Sequence, residues 1–203
     1  MKKIFLFFAA VAMTAGVMSA QDINQATEAY NNGAMELQMG NNAAAVENFK
    51  TALTMGEALG DEGADLVANC KKAISSAYLS MAKDLYNAKD FDGAVTAFQQ
   101  AKEVAEGYGE AEIAAEAGEL IGQTEMLKYN TAGKEAMKAK DYPTAIANFS
   151  KVLEMDPANG GVAIQLGQAY MRAGQLDESI AALETAKANG EEENAAKLLS
   201  NIY

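Results

Sequence analysis

Four short strings recur along this 203-residue chain: AVENF at 45–49, AVTAF at 94–98, AIANF at 145–149 and SIAAL at 179–183. Twelve residues before each string stands a small residue, Gly33, Ala82, Gly133 and Gly167. A recurring pattern at fixed internal spacing marks a repeat architecture, in which each unit buries its apolar face only against its neighbours. Seven residues after the small residue comes a turn centre, Gly40, Lys89, Lys140 or Gly174, within the polar strings GNN, KDFD, KDYP and GQLD. Beyond the turn, Ala45, Ala94, Ala145 and Ser179 are followed four residues later by Phe49, Phe98, Phe149 and Leu183. Three residues further on come Ala52, Ala101, Val152 and Ala186. Offsets of four and three put those groups on one helical face. Each unit therefore reads as helix, short turn, helix: the small residues let the two helices approach, and the Phe or Leu fills the groove between units.

The N-terminus reads differently. Lys2 and Lys3 precede an almost wholly apolar run from Ile4 to Val17, and Ser19 and Ala20 set small residues before the polar Gln21. This is the layout of a secretory signal peptide over 1–20. The apolar run falls short of the ~20 residues that span a bilayer as a helix; an uncleaved anchor is the alternative reading. No cysteine stands near the cleavage point to take a lipid. The expectation is a bacterial exported protein, periplasmic or secreted, with a mature start near Gln21 and no stable membrane span after signal removal.

Taking Lys2 and Lys3 from the 16 basic residues leaves 14 against 28 acidic ones, a net charge of −14 for the expected mature chain. Nucleic acid is a poor partner for such a chain, because its binding depends on neutralising phosphates with Lys and Arg. The length suffices for one domain or a short solenoid. One cysteine rules out an intramolecular disulfide even in an oxidising compartment. Two prolines and the absence of a long Ser/Gly tract point to an all-helical body without a flexible linker.

The residues at these offsets resemble the tetratricopeptide repeat family. The fullest unit is YNTAGKEAMKAKDYPTAIANFSKVLEMDPANG at 129–160, with Tyr129 opening the first helix, then Gly133, Tyr142 in the turn, Ala145, Phe149, and Asp156-Pro157 ending the second helix. The next unit follows at the family's 34-residue period, matching at Leu166, Gly167, Tyr170 and Gly174. The resemblance implies an all-α, right-handed superhelical solenoid of antiparallel helix pairs. Its units lie at about 26–57, 75–106, 126–159 and 160–193, with a closing helix at 192–203.

Two departures stand out. The first three units are spaced by 49 and 51 residues, so extra residues lie at 58–74 and 107–125. Both inserts open with Gly-acid strings, GDEGAD and GYGEAE, and continue with apolar periodicity. They read as extensions that give two lengthened first helices, about 62–88 and 110–139. Glu36 is charged where the family packs an aromatic, so the first unit reads as a solvated cap. In the closing helix, Leu198, Leu199 and Ile202 would cover the open face of unit four, with Glu191–Glu193 at the favourable end of the helix dipole.

No catalytic residue, cofactor site or metal site is expected. The chain has no histidine, and so lacks the usual general base, metal ligand and triad partner. Cys70 has Leu66 and Ile74 one turn to either side and reads as a small apolar packing residue. Asp61, Glu62 and Asp65 lack the alternating acids and glycine of a calcium loop. No glycine-rich phosphate loop follows a strand.

Binding remains. The resemblance implies that the first helices line a concave groove, carrying Tyr30, Asn31 and Gln38 from unit one and Lys83, Tyr86 and Asn87 from unit two. Asn130, Lys134, Met137 and Lys138 come from unit three, and Gln165, Gln168, Met171 and Arg172 from unit four. Lys83, Lys134, Lys138 and Arg172 either solvate exposed faces or form a basic track that draws an acidic peptide. The family's full chaperone-tail clamp is absent. Met137 and Met171 read as adaptable exposed contacts or as core. The expected function is a non-enzymatic protein-protein interaction scaffold or adaptor in the cell envelope. A carbohydrate or cell-wall-associated module using Tyr86, Asn87 and Asn130, and a self-associating structural protein, are the alternatives.

Overall fold

The structure, a computed structural model, describes residues 20–202. The expected signal peptide, up to residue 19, lies outside the described residues. Among the described residues there are nine α-helices and no strand: α1 (Ala20–Gln38), α2 (Asn42–Ala58), α3 (Ala64–Asn87), α4 (Phe91–Tyr108) and α5 (Ala111–Ala139). Then come α6 (Tyr142–Met155), α7 (Gly160–Ala173), α8 (Leu176–Ala188) and α9 (Glu192–Leu199). The chain divides into two compact units, residues 1–73 and 74–203, with the division inside α3.

The four turn centres share one conformation. Gly40, Lys89, Lys140 and Gly174 all have left-handed φ, at 79°, 63°, 61° and 79°. Each lets the next residue's N–H reach a carbonyl five residues back, from Asn41 to Glu36, Asp90 to Leu85, Asp141 to Ala136 and Gln175 to Tyr170, at 2.9–3.0 Å. These bonds satisfy carbonyls that a helix end otherwise leaves open, and reverse the chain in two or three residues so that successive helices run antiparallel. The lysine-centred turns are followed by side-chain caps: Asp90 accepts from the Gly93 N–H at 3.0 Å and Asp141 from the Thr144 N–H at 3.2 Å. Asn41 makes no such cap and instead donates to Glu36 Oε2 at 2.8 Å, so Glu36 braces the first turn.

The spacing between the small residue and the ring also has a physical cause. A Cβ built on Gly33 would lie 2.7 Å from Phe49, one on Gly133 2.6 Å from Phe149, and one on Gly167 2.7 Å from Leu183. The bulky side chain of the second helix therefore rests directly on the backbone of the first. Phe49 is 1% exposed, and Phe98, Phe149 and Leu183 are fully buried. Each contributes about 2–3 kcal/mol of burial. In the fourth pair, Ser179 stands where the others have alanine, and its buried hydroxyl donates to the Gly167 carbonyl at 2.8 Å. That bond removes the cost of burying an unpaired hydroxyl.

In the first unit α1 and α2 pack together around Ala26, Ala45, Val46, Phe49, Ala52 and Leu53. Tyr30 lays its ring 5.3 Å from that of Phe49. The first insert forms a 3₁₀ turn, Gly60–Gly63, folded so tightly onto α2 that a Cβ on Gly63 would collide with the Gly56 carbonyl. In the second unit one cluster gathers Leu79, Ala82, Ala94, Phe98, Ala101 and Ala117. Another gathers Ala136, Ala145, Phe149, Val152, Val162, Leu166, Ala169 and Ala182. Helices α3 and α5 run 24 and 29 residues, against 14 for α7.

The C-terminus departs from expectation. The closing helix ends at Leu199, not 203, because the Ser200 hydroxyl turns back to the Lys197 carbonyl at 2.8 Å. The Asn201 and Ile202 N–H groups then bond only three residues back. Leu199 is buried, whereas Leu198 and Ile202 are half-buried.

Candidate functional site

Helix α5 carries Asn130, Lys134, Met137 and Lys138 at offsets of three and four, and α7 carries Gln165, Gln168, Met171 and Arg172 in the same way, so each set forms one stripe. Between the stripes lies a cleft of ≈ 250 Å³ lined by Lys134, Met137 and Lys138 from α5, Phe149 from α6, and Gln165 and Gln168 from α7. Gly133 helps to shape it, since the missing Cβ lets Phe149 of α6 sit against α5. Five of the six lining residues are groove candidates of the sequence analysis. Phe149 is the sixth, missed because its fixed place in the repeat marked it only as core.

The cleft joins an apolar wall to charges without partners. Lys134 and Lys138 are exposed, and among the described residues neither has an ion-pair partner. Lys83, by contrast, holds Glu116 of α5 at 2.7 Å, which takes it out of the proposed basic track. Glu116 lies in the second insert, outside any repeat register, though its separation of 33 residues from Lys83 is nearly one family period. Met171 is half-buried and Arg172 exposed; neither lines the cleft. Met137 is also half-buried and packs against the core of α5, α6 and α7, which agrees with the packing alternative for that residue. The exposed methionines include Met35 in α1, Met39 in the turn that follows it, and Met155 at the end of α6.

The two stripes also hold two orphan acceptors. The Gln165 and Asn130 side-chain oxygens are buried without a hydrogen-bond partner. Gln165 is held only through its Nε2, which donates to the Gly161 carbonyl at 3.4 Å. A buried acceptor left unpaired costs about 1–3 kcal/mol.

The remaining candidates are spent locally or lie apart. Tyr86 packs its ring edge-on to Phe91 at 6.1 Å, and Asn87 is exposed at the end of α3. Tyr30, Asn31 and Gln38 belong to the first unit, where Tyr30 packs on Phe49 and the other two are exposed. Cys70 is fully buried, and burial pushes its thiol from 9.0 up to about 11, as suits a packing residue. Asp61, Glu62 and Asp65 are all exposed, and among the described residues no three His, Cys, Asp or Glu side chains converge as metal ligands.

Residues 136–202 match the tetratricopeptide repeat family model, over the helix pairs whose locks and turns are described above. This part of the chain carries tetratricopeptide repeats. The tetratricopeptide repeat fold suggests a protein-protein interaction scaffold. No curated protein matches the chain. Among solved structures, the C-terminal TPR-containing domain of a Plasmodium falciparum FK506-binding protein is 20% identical, covering 66% of this chain and 92% of that one, with a TM-score of 0.38. The TPR domain of P58(IPK) is 20% identical over 90% of this chain and 55% of that one, with a TM-score of 0.38. MamA of Desulfovibrio magneticus RS-1 is 18% identical, covering 88% and 93%, with a TM-score of 0.28. No described helix is long and apolar enough to cross a membrane.

Proposed function

We propose that this chain is an exported, non-enzymatic adaptor of the bacterial cell envelope that holds a peptide or protein in the groove between the first helices α5 and α7. One observation carries the reading: the α5–α7 cleft sets the unpaired Lys134 and Lys138 beside the apolar Met137 and Phe149 in a chain of net charge −12. A local positive site on an acidic molecule concentrates an acidic ligand while the rest of the surface repels it. The signal-peptide layout at 1–20 supports export, and the right-handed winding follows the family resemblance. The sugar-platform alternative loses support, because Tyr86, its one aromatic, packs its ring edge-on to Phe91.

The test is cross-linking of the tagged chain in its own envelope, beside a Lys134→Glu, Lys138→Glu, Arg172→Glu variant shown by circular dichroism to keep its helicity. A partner caught by the native chain should be lost by the triple variant and kept by Lys83→Glu, since Glu116 already neutralises Lys83. Equal capture by all three would place the contact elsewhere and end the groove reading.

A further inference from the structure

Asparagine followed by glycine is a chemically labile pair, because a glycine without a side chain leaves its backbone nitrogen open to approach the neighbouring amide carbon. The sequence carries the pair three times, at Asn32-Gly33, Asn159-Gly160 and Asn189-Gly190. Ring closure requires the glycine nitrogen to leave its hydrogen bond and the asparagine side chain to turn towards it. Ties on either group oppose the reaction, and the fold ties the three pairs unequally.

Gly33 lies buried inside α1, where the helix ladder holds its N–H and Phe49 packs against its Cα. Asn159 is fixed at both ends of its amide. Its Oδ1 accepts from the Val162 N–H at 3.1 Å, and its Nδ2 donates to Asp156 Oδ2 at 3.1 Å. Gly160 is buried, with its N–H on the Ala158 carbonyl at 2.9 Å. The third pair is looser. Asn189 ends α8, and Gly190 is exposed with φ at 93°. The Gly190 N–H reaches the Lys187 carbonyl only at 3.4 Å, whereas the matching bonds of Gly40, Gly109 and Gly174 are all 3.1 Å. The Asn189 side chain is held through Nδ2 alone, which donates to the Pro157 carbonyl at 3.0 Å.

We propose that Asn189 is a site of spontaneous, non-enzymatic conversion that loosens the closing helix α9. The Gly190 nitrogen gives its proton to hydroxide and bonds to Asn189 Cγ; the Cγ–Nδ2 bond breaks, and Nδ2 leaves as ammonia after taking a proton from water. The cyclic imide then takes up one water. Opening at the side-chain carbonyl leaves an aspartate, and opening at the main-chain carbonyl leaves an isoaspartate, with the chain running through Cγ. Either product replaces the Nδ2 donor with a carboxylate oxygen, so the Pro157 carbonyl loses its donor and faces a negative charge. Isoaspartate also adds a carbon to the main chain. It does so where the Asn189 carbonyl lies close enough to α7 that a Cβ on Gly160 would stand 2.6 Å from it. Helix α9 starts at Glu192, just beyond, and is held by Ala195 packed with Ala163 of α7 and Ala186 of α8.

The full chain is held in mildly alkaline buffer and sampled over time, and its tryptic peptides are weighed for the exchange of an amide for an acid, with fragmentation locating the site. Residue 189 should gain the acid at least about tenfold faster than residues 32 and 159. Isoaspartate, detected by enzymatic methylation, should be among the products. In urea the three sites should convert at similar rates, because only the folded turns distinguish them. Asn189→Gln, whose attack would need a larger ring, should keep the amide unconverted at that position. Asn189→Asp should speed hydrogen exchange of the α9 amides several-fold while leaving those of α6 unchanged. Equal rates at the three sites in the folded chain, no acid at residue 189, or a difference that persists in urea would each overturn the proposal. Unchanged α9 exchange in both Asn189→Asp and the converted protein would overturn it as well.

Discussion

The α1–α2 pair and the α5–α6 pair are built on the same lock and do different things with it. In both, a phenylalanine of the second helix rests on a glycine of the first, with room for no Cβ between Gly33 and Phe49 or between Gly133 and Phe149. In the first pair the one polar pairing nearby is local, Glu36 bracing Asn41, and the surface beside it is apolar, with Met35 and Met39 at 58% exposure each. In the other pair the same face leaves two lysines and one amide oxygen unpaired. The buried lock defines the unit, and the residues around it decide which charges and polar atoms the unit leaves unpaired.

That comparison can be broken most severely at the lock. Phe149→Ala should cost about 3–5 kcal/mol in urea unfolding, as for other large-to-small changes in packed cores. Phe49→Ala should cost a similar amount if the two locks are equivalent, and a much smaller loss at Phe49 would show that the first pair does not depend on its ring. Gly133→Ala should cost about 1–3 kcal/mol, since the added methyl overlaps a ring that has no space to retreat. Combining it with Phe149→Leu should restore part of that loss, because a smaller side chain clears the new methyl.

The turns sharpen the contrast more gently. Asp141→Ala should cost about 1 kcal/mol by removing the cap on α6. Asn41→Ala should cost less, since its side chain caps nothing at α2. Equal losses would mean that the Asn41–Glu36 bond is worth as much as a cap. The smallest effect runs the other way: Lys140→Gly should stabilise by about 0.5 kcal/mol. Relief of the left-handed strain exceeds the added freedom of glycine in the unfolded chain. Gly40, already glycine at the matching position, offers no such gain.

What the sequence discloses follows from what repeats. Gly33, Gly133, Gly167 and their bulky partners stand out because one contact imposes one spacing each time. The turn centres are found the same way, and only so: nothing about Lys89 or Lys140 as residue types announces a left-handed backbone, and alignment with Gly40 and Gly174 alone reveals it. The α5 and α7 stripes are legible from helical periodicity, which brings five of six cleft residues together. Outside the repeat the pattern gives no guidance. The Lys83–Glu116 pair escapes because Glu116 sits in an insert without register, and the orphan oxygens escape because periodicity places side chains but does not count their hydrogen bonds. The early end of α9 depends on the Ser200 hydroxyl, a local competition that apolar spacing cannot report.

Cys70 gives this molecule a clock. It is the only thiol in the chain, and the folded protein both hides it and holds it protonated well above neutral pH. A disulfide reagent at pH 8 can therefore modify the sulfur only when the surrounding structure opens, so the labelling rate counts openings around α3 directly. No engineered probe is needed. Comparing that rate with global unfolding tells whether α3, the helix in which the two compact units meet along the chain, opens by itself or only when everything does.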